Sequence, residues 1–80
     1  MKQWPEGEVW HIDVRGLPPP EPFVAIVRLI EGAARHAPEV IVHHERDPVF
    51  LYPELAERGW AAQRIEGEPG EFRLRLWRTG

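Results

Sequence analysis

Apolar and polar positions follow two different periods along this chain. Residues 8–14, EVWHIDV, set Trp10, Ile12 and Val14 on one side and Val9, His11 and Asp13 on the other, the period-2 pattern of a half-buried strand. Gly16 ends it. The prolines at 18, 19, 20 and 22 have no place inside a sheet, but they suit a loop and a first helical turn, where backbone N–H groups lack intrahelical partners. From Phe23 the period changes to i, i+3, i+4, i+7: Phe23, Ile26, Val27, Ile30, Ala33 and Ala34 predict a helix to about residue 36, closed by Pro38. Residues 39–45, EVIVHHE, begin with the continuous apolar run of an inner strand. Asp47-Pro48 marks a turn. Pro53 then opens a short helix whose apolar side is Leu51, Leu55 and Ala56, with Gly59 at its left-handed C′ position. Residues 60–66 and 71–78 read as two strands joined by Gly67-Glu68-Pro69-Gly70, in which Pro69 and Gly70 fit the central positions of a type II turn.

The predicted order is β-α-β-α-β-β. Right-handed crossovers put both helices on one face of the sheet, an α+β fold of the α/β two-layer sandwich kind with the other sheet face open. In the last strand Phe72, Leu74 and Leu76 then face the helices, and Arg73, Arg75 and Trp77 the open side. Residues 1–7 read as an N-terminal extension, and the whole of 1–80 as one domain.

Composition narrows the function. Eighty residues fill one domain, which at this size buries roughly 60% of its unfolded surface and has no room for a large multi-substrate cleft. The absence of cysteine excludes a disulfide framework, a thiolate metal site and a cysteine nucleophile. No serine is present and Thr79 is the only threonine, so hydroxyl nucleophiles are nearly absent too. No catalytic constellation and no cofactor motif stands out, so a non-enzymatic role is expected. A net charge of -3 argues against a sequence-independent nucleic-acid binder. With no apolar run near the roughly 18 residues of a membrane span and no signal-peptide pattern, the expectation is a soluble, cytoplasmic protein with no membrane partner.

One stretch resembles a known family. Ile12-Asp13-Val14-Arg15-Gly16-Leu17-Pro18-Pro19-Pro20-Glu21-Pro22, followed by an apolar helix and later an Asp-Pro turn, is similar to the start of the TusA/SirA-like sulfur carriers. Their hallmark is a strand ending in Leu-Asp-x-x-Gly-Leu and a Cys-Pro-x-Pro helix start. Closer still is the branch of unknown function beside them, whose pattern is matched by Asp13-Val14-Arg15, His44 through Pro48, Leu51-Tyr52, Glu57-Arg58-Gly59 and Gly70-Glu71-Phe72-Arg73. The resemblance implies the same element order with a mixed four-stranded sheet. It also places Pro19 where the carriers hold their sulfur-accepting cysteine, so persulfide transfer is not implied for this chain.

The remaining chemistry lies with histidine and arginine. His11 and His43 fall on the open face of neighbouring strands, where with Asp13 or Glu45 they form either a transition-metal site or a pair of solvent-facing histidines. His44, adjacent to His43, points to the other face. It either hydrogen-bonds the Asp-Pro turn or lines a small pocket with Glu45, Asp47 and Arg15 at the strand ends. Asp13, Arg15 and Glu21 form a loop-fixing salt bridge or an Arg15-based anion site beside the helix N-terminus, and Arg15 and Glu21 are also candidates, with His44 and Asp47, for that pocket. Arg64, Arg73, Arg75 and Arg78, interleaved with Trp77, make either a stripe for single-stranded nucleic acid or a protein-docking patch. The leading expectation is an accessory or interaction module, in sulfur, redox or metal metabolism as the resemblance implies, that docks a protein partner through the open face (His11, His43, Arg73, Arg75 and Trp77) or through the Arg15, Glu21, His44 end of the sheet; the open face also allows a homodimer. Small-ligand or metal binding is the second, and nucleic-acid binding the third.

Overall fold

The computed structural model describes residues 1–80, which form two helices and a five-stranded mixed sheet. The strands are β1 (Lys2–Glu6), β2 (Val9–Asp13), β3 (Glu39–His44), β4 (Trp60–Ile65) and β5 (Phe72–Arg78); the helices are α1 (Glu21–Glu31) and α2 (Leu51–Glu57). Along the sheet they run β1-β2-β3-β5-β4, with β2 and β3 parallel and every other pair antiparallel. The order is therefore β-β-α-β-α-β-β, and the four-stranded expectation is corrected by one strand. Residues 2–6 are that strand, not an extension. All five are exposed, so they lack the apolar alternation by which a half-buried strand is recognised. Pro5 is tolerated because β1 lies at the sheet edge. Gly7, with φ of 63°, turns the chain back into β2 through a two-residue hairpin.

Alternation sorts the sheet into two faces. Ile12, Val14, Val40, Val42, Leu74 and Leu76 meet Ile26, Leu29 and Ile30 of α1 and Leu51 and Leu55 of α2 in one core, completed by Ala34 and Trp60. Each fully buried aliphatic side chain contributes about 1.5–3 kcal/mol relative to exposure, so this layer carries most of the stability. α1 stops at Glu31, short of the expected residue 36. From Gly32 to Ala37 the backbone runs through turns whose hydrogen bonds include Gly32 N–H to Leu29 O and Ala34 N–H to Leu29 O. Ala34 stays fully buried there, so the apolar periodicity outlasts the helix. α2 begins two residues before Pro53, which as its third residue has no intrahelical bond to lose. Gly59 follows with φ of 76°. Between β4 and β5, Glu71 N–H donates to Glu68 O at 2.9 Å and Gly70 has φ of 82°, as a type II turn requires.

Candidate functional site

Two places gather chemistry. The first is a groove of about 740 Å³ at the C-terminal ends of β2 and β3, between the proline loop that starts α1 and the segment that starts α2. That volume lies within the roughly 300–1,000 Å³ of small-molecule sites. Its walls are largely apolar: Leu17, Pro20, Phe23 and Ile26 on one side, Pro48, Val49, Phe50 and Leu51 on the other. Phe50 is 85% exposed at the rim.

Set into these walls is His44, only 5% exposed. Its Nδ1 accepts the backbone N–H groups of Glu45 at 2.8 Å and Arg46 at 3.3 Å, which places the ring proton of the neutral form on Nε2. Burial pushes the imidazole below its usual value, so the neutral form is the resident one. Nε2–H finds no acceptor in the protein, yet no buried polar atom is sealed off without a partner; the groove is the opening that His44 meets. The charged groups nearby are mostly engaged. Tyr52 donates its hydroxyl to Asp47 at 2.5 Å, which together with burial raises the phenol, and Glu54 holds Arg58 at 2.9 Å. Arg46 is the groove's one cation and makes no ion pair.

The second place is the open face. His11 Nδ1 and His43 Nε2 are 3.0 Å apart, His43 Nδ1 is 2.5 Å from Glu71 Oε2, and His11 Nε2 is 3.1 Å from Glu6 Oε1. Arg73 grips both oxygens of Glu71 at 2.8 and 3.0 Å, and the Glu68 N–H adds a third bond. Arg73, ahead of that N–H and of His43, holds the Glu71 carboxyl down at about 2 despite its burial. Trp4 from β1 lies flat over both imidazoles, with ring centroids 5.1 Å from His11 and 5.8 Å from His43. No group of three or more His, Cys, Asp or Glu side chains is arranged to hold a metal ion.

Residues 11–78 match a family described as "Uncharacterized conserved protein (DUF2249)". The chain belongs to that family. No curated protein and no solved structure matches it. The family match names no sulfur carrier, so kinship with the TusA/SirA-like proteins rests on the residues quoted for it. In this DUF2249 domain the match begins at His11, so β1 with Trp4 and Glu6 lies outside it.

The DUF2249 domain places the residues singled out from the sequence as follows. His11, His43, Arg73, Arg75 and Trp77 share the open face, since His43 stands opposite Arg73 and Ile41 opposite Arg75 in the β3–β5 register. His44 and Asp47 line the groove, but Arg15 and Glu21 do not. Arg15 instead grips Asp13 at 2.9 and 2.8 Å, lowering that carboxyl to about 2, and Glu21 borders a separate depression beside Met1. Glu45 accepts the Gly16 N–H at 3.0 Å, tying the loop after β2 to the end of β3. The four-arginine stripe is divided by the same alternation that defines the faces. Arg64 stacks 4.2 Å from the Phe72 ring and Arg78 lies 5.5 Å from Trp60, both on the helix side, where Arg78 also binds the carbonyls of Arg35, His36 and Ala37. Arg73 and Arg75 remain on the open side, each ion-paired, to Glu71 and Glu39. Sequence reasoning left Trp4 open between the core edge and the Trp77 patch, and it missed Glu6 and Glu71 as partners of the histidines. Only the first hairpin's Gly7 and the alternation of Trp4 and Glu6 with Pro5 could have brought β1 into view.

Proposed function

We propose that this DUF2249 chain is a small-ligand-binding module whose site is the His44 groove, and that its ligand is a compact apolar molecule carrying a carboxylate. The observation that supports this is the Nε2–H of His44, a nearly buried neutral donor without a protein acceptor set in apolar walls. Because that N–H opens onto the groove, a ligand oxygen can take it in place of water. Arg46 adds a positive charge; Glu54 is paired with Arg58, and Asp47 keeps its negative charge while accepting from Tyr52. Phe23, Val49 and Phe50 suit the apolar part.

The test is chemical-shift mapping with hexanoate, hexanamide and hexylamine. Hexanoate is expected to shift the groove residues and to bind more tightly than the other two, and Arg46→Gln is expected to remove about tenfold of that affinity while sparing hexanamide. Shifts outside the groove, or hexylamine binding as well as hexanoate, sink the proposal.

Docking of a protein partner on the open face is a second reading. It is favoured by the Arg75 guanidinium stacked 4.5 Å over the half-buried Trp77, a residue pairing enriched at interface hot spots. Co-purification of a stoichiometric partner that Trp77→Ala abolishes supports it; an unchanged complex removes it.

A further inference from the structure

The open-face chain of contacts runs carboxylate, imidazole, imidazole, carboxylate, and its hydrogen count is fixed by chemistry. Glu71 and Glu6 as carboxylates only accept, so the contacts at His43 Nδ1 and His11 Nε2 each need an N–H on the ring. The 3.0 Å contact between His43 Nε2 and His11 Nδ1 needs one N–H between two nitrogens. Three contacts take three hydrogens. Two neutral imidazoles carry two. We infer that His11 and His43 form a binding site for one shared proton, which clasps β1 to the open face of the sheet.

Either ring can carry the extra charge, because moving the hydrogen across the central contact leaves all three bonds made. Removing the proton leaves two N–H groups for three contacts: either both outer bonds stay and two ring lone pairs meet at the centre, or the bond to Glu6, which is 76% exposed, is given up before the one to the buried Glu71. Adding a second proton sets N–H against N–H between the rings and drives them apart from under Trp4. The surroundings favour one positive charge. From β1 the pair faces Glu6 and the π face of Trp4, whose rings lie within 6° and 16° of parallel with His11 and His43. From β2 it faces Asp13, which stands opposite both His43 and Lys2 and is paired with Arg15. From β5 and the turn before it come Glu71 and Arg73, and farther along β3 the Glu39–Arg75 pair.

The same geometry favours a proton over the metal ion expected at His11 and His43. Two imidazole nitrogens on one tetrahedral ion sit at about 2.0–2.1 Å from it and converge on a common point, with about 3.3 Å between them. Here the two nitrogens are 3.0 Å apart and bonded to each other, and no third ligand is in place. The cation these imidazoles take is a proton.

The experiment is a pH series of long-range ¹H–¹⁵N spectra of the imidazole nitrogens in the full ¹⁵N-labelled chain. The expected result is a plateau in which three of the four ring nitrogens of His11 and His43 are protonated, bounded by two separate steps. The emission difference between wild type and Trp4→Phe is expected to follow the acidic step, where the rings separate. In Glu6→Gln the amide can donate to a bare Nε2, so the alkaline end of the plateau is expected about half a unit earlier. A single step in which both rings pass together to two protonated nitrogens, with Glu6→Gln unchanged, overturns the inference. So does metal-type movement of both rings on adding one equivalent of zinc.

Discussion

The Glu71 carboxylate accepts a hydrogen bond from His43 at 2.5 Å although the two residues are 28 positions apart and Glu71 is not part of a strand. Arg73 and the Glu68 N–H complete its shell, and its side chain is 1% exposed. Its pKa is about 2 when folded against an ordinary 4.5, so between these values the unfolded chain binds more protons. Stability from Glu71 is therefore full above pH 4.5 and lost as pH falls toward 2. Urea unfolding across the acid range is expected to show a shallower decline for Glu71→Gln than for wild type, even though Asp13 titrates in the same window in both. Parallel curves would show that Glu71 contributes nothing there.

His44 imposes the opposite constraint on charge but the same direction on pH. Its imidazole is lowered from 6.5, so in the window below 6.5 the unfolded chain takes up a proton that the folded one refuses, and stability falls on acidification. His44→Asn keeps an acceptor for the Glu45 and Arg46 N–H groups and is expected to lose this slope. His44→Leu strands both donors and is expected to cost about 2 kcal/mol at neutral pH, measured by equilibrium denaturation.

The turn before β5 is sensitive at two glycines for different reasons. Gly70→Ala must hold a side chain at φ of 82° and is expected to lose about 1 kcal/mol with an unchanged denaturant slope. At Gly67 the φ is unremarkable, but a Cβ would stand 2.8 Å from Glu71 Oε1 and 3.1 Å from Arg73 Cβ. Gly67→Ala is therefore expected to displace the carboxylate and to remove the Glu71 share of the acid dependence that Gly70→Ala preserves.

Core and clasp are expected to separate cleanly by energy. Ile26→Ala, at a fully buried position, should cost about 2–5 kcal/mol. Trp4→Ala, at 37% exposure and held by ring stacking, should cost no more than about 1.5 kcal/mol. A larger loss at Trp4 would mean that β1 supports the core itself.

Much of the fold was legible because the core elements announce themselves by period. β2, β3 and β5 were read from alternation or an apolar run, and the Pro69-Gly70 turn from the need for positive φ. β1 was not, because an edge strand with all residues exposed leaves no apolar imprint and Pro5 argues against it. The end of α1 was overrun because Ala33 and Ala34 continue the helical spacing through turns. In the sites, alternation placed His11, His43, Arg73, Arg75 and Trp77 on one face. It also forbade the arginine stripe, since Arg64 and Arg78 occupy the opposite parity. Glu71 was invisible as a partner: a carboxylate after a turn reads as solvated until the strand order brings β5 beside β3.

The placement of β1 has a consequence for the sheet as a whole. Were residues 2–6 absent or peeled away, β2 would become the outermost strand, and the sequence VWHID would present a row of unpaired backbone donors and acceptors. A second chain could then add itself to the sheet in place of the missing strand. Residues 2–6, all exposed, thus cover the backbone edge of β2, and Pro5 among them leaves one N–H fewer on the new edge that they create.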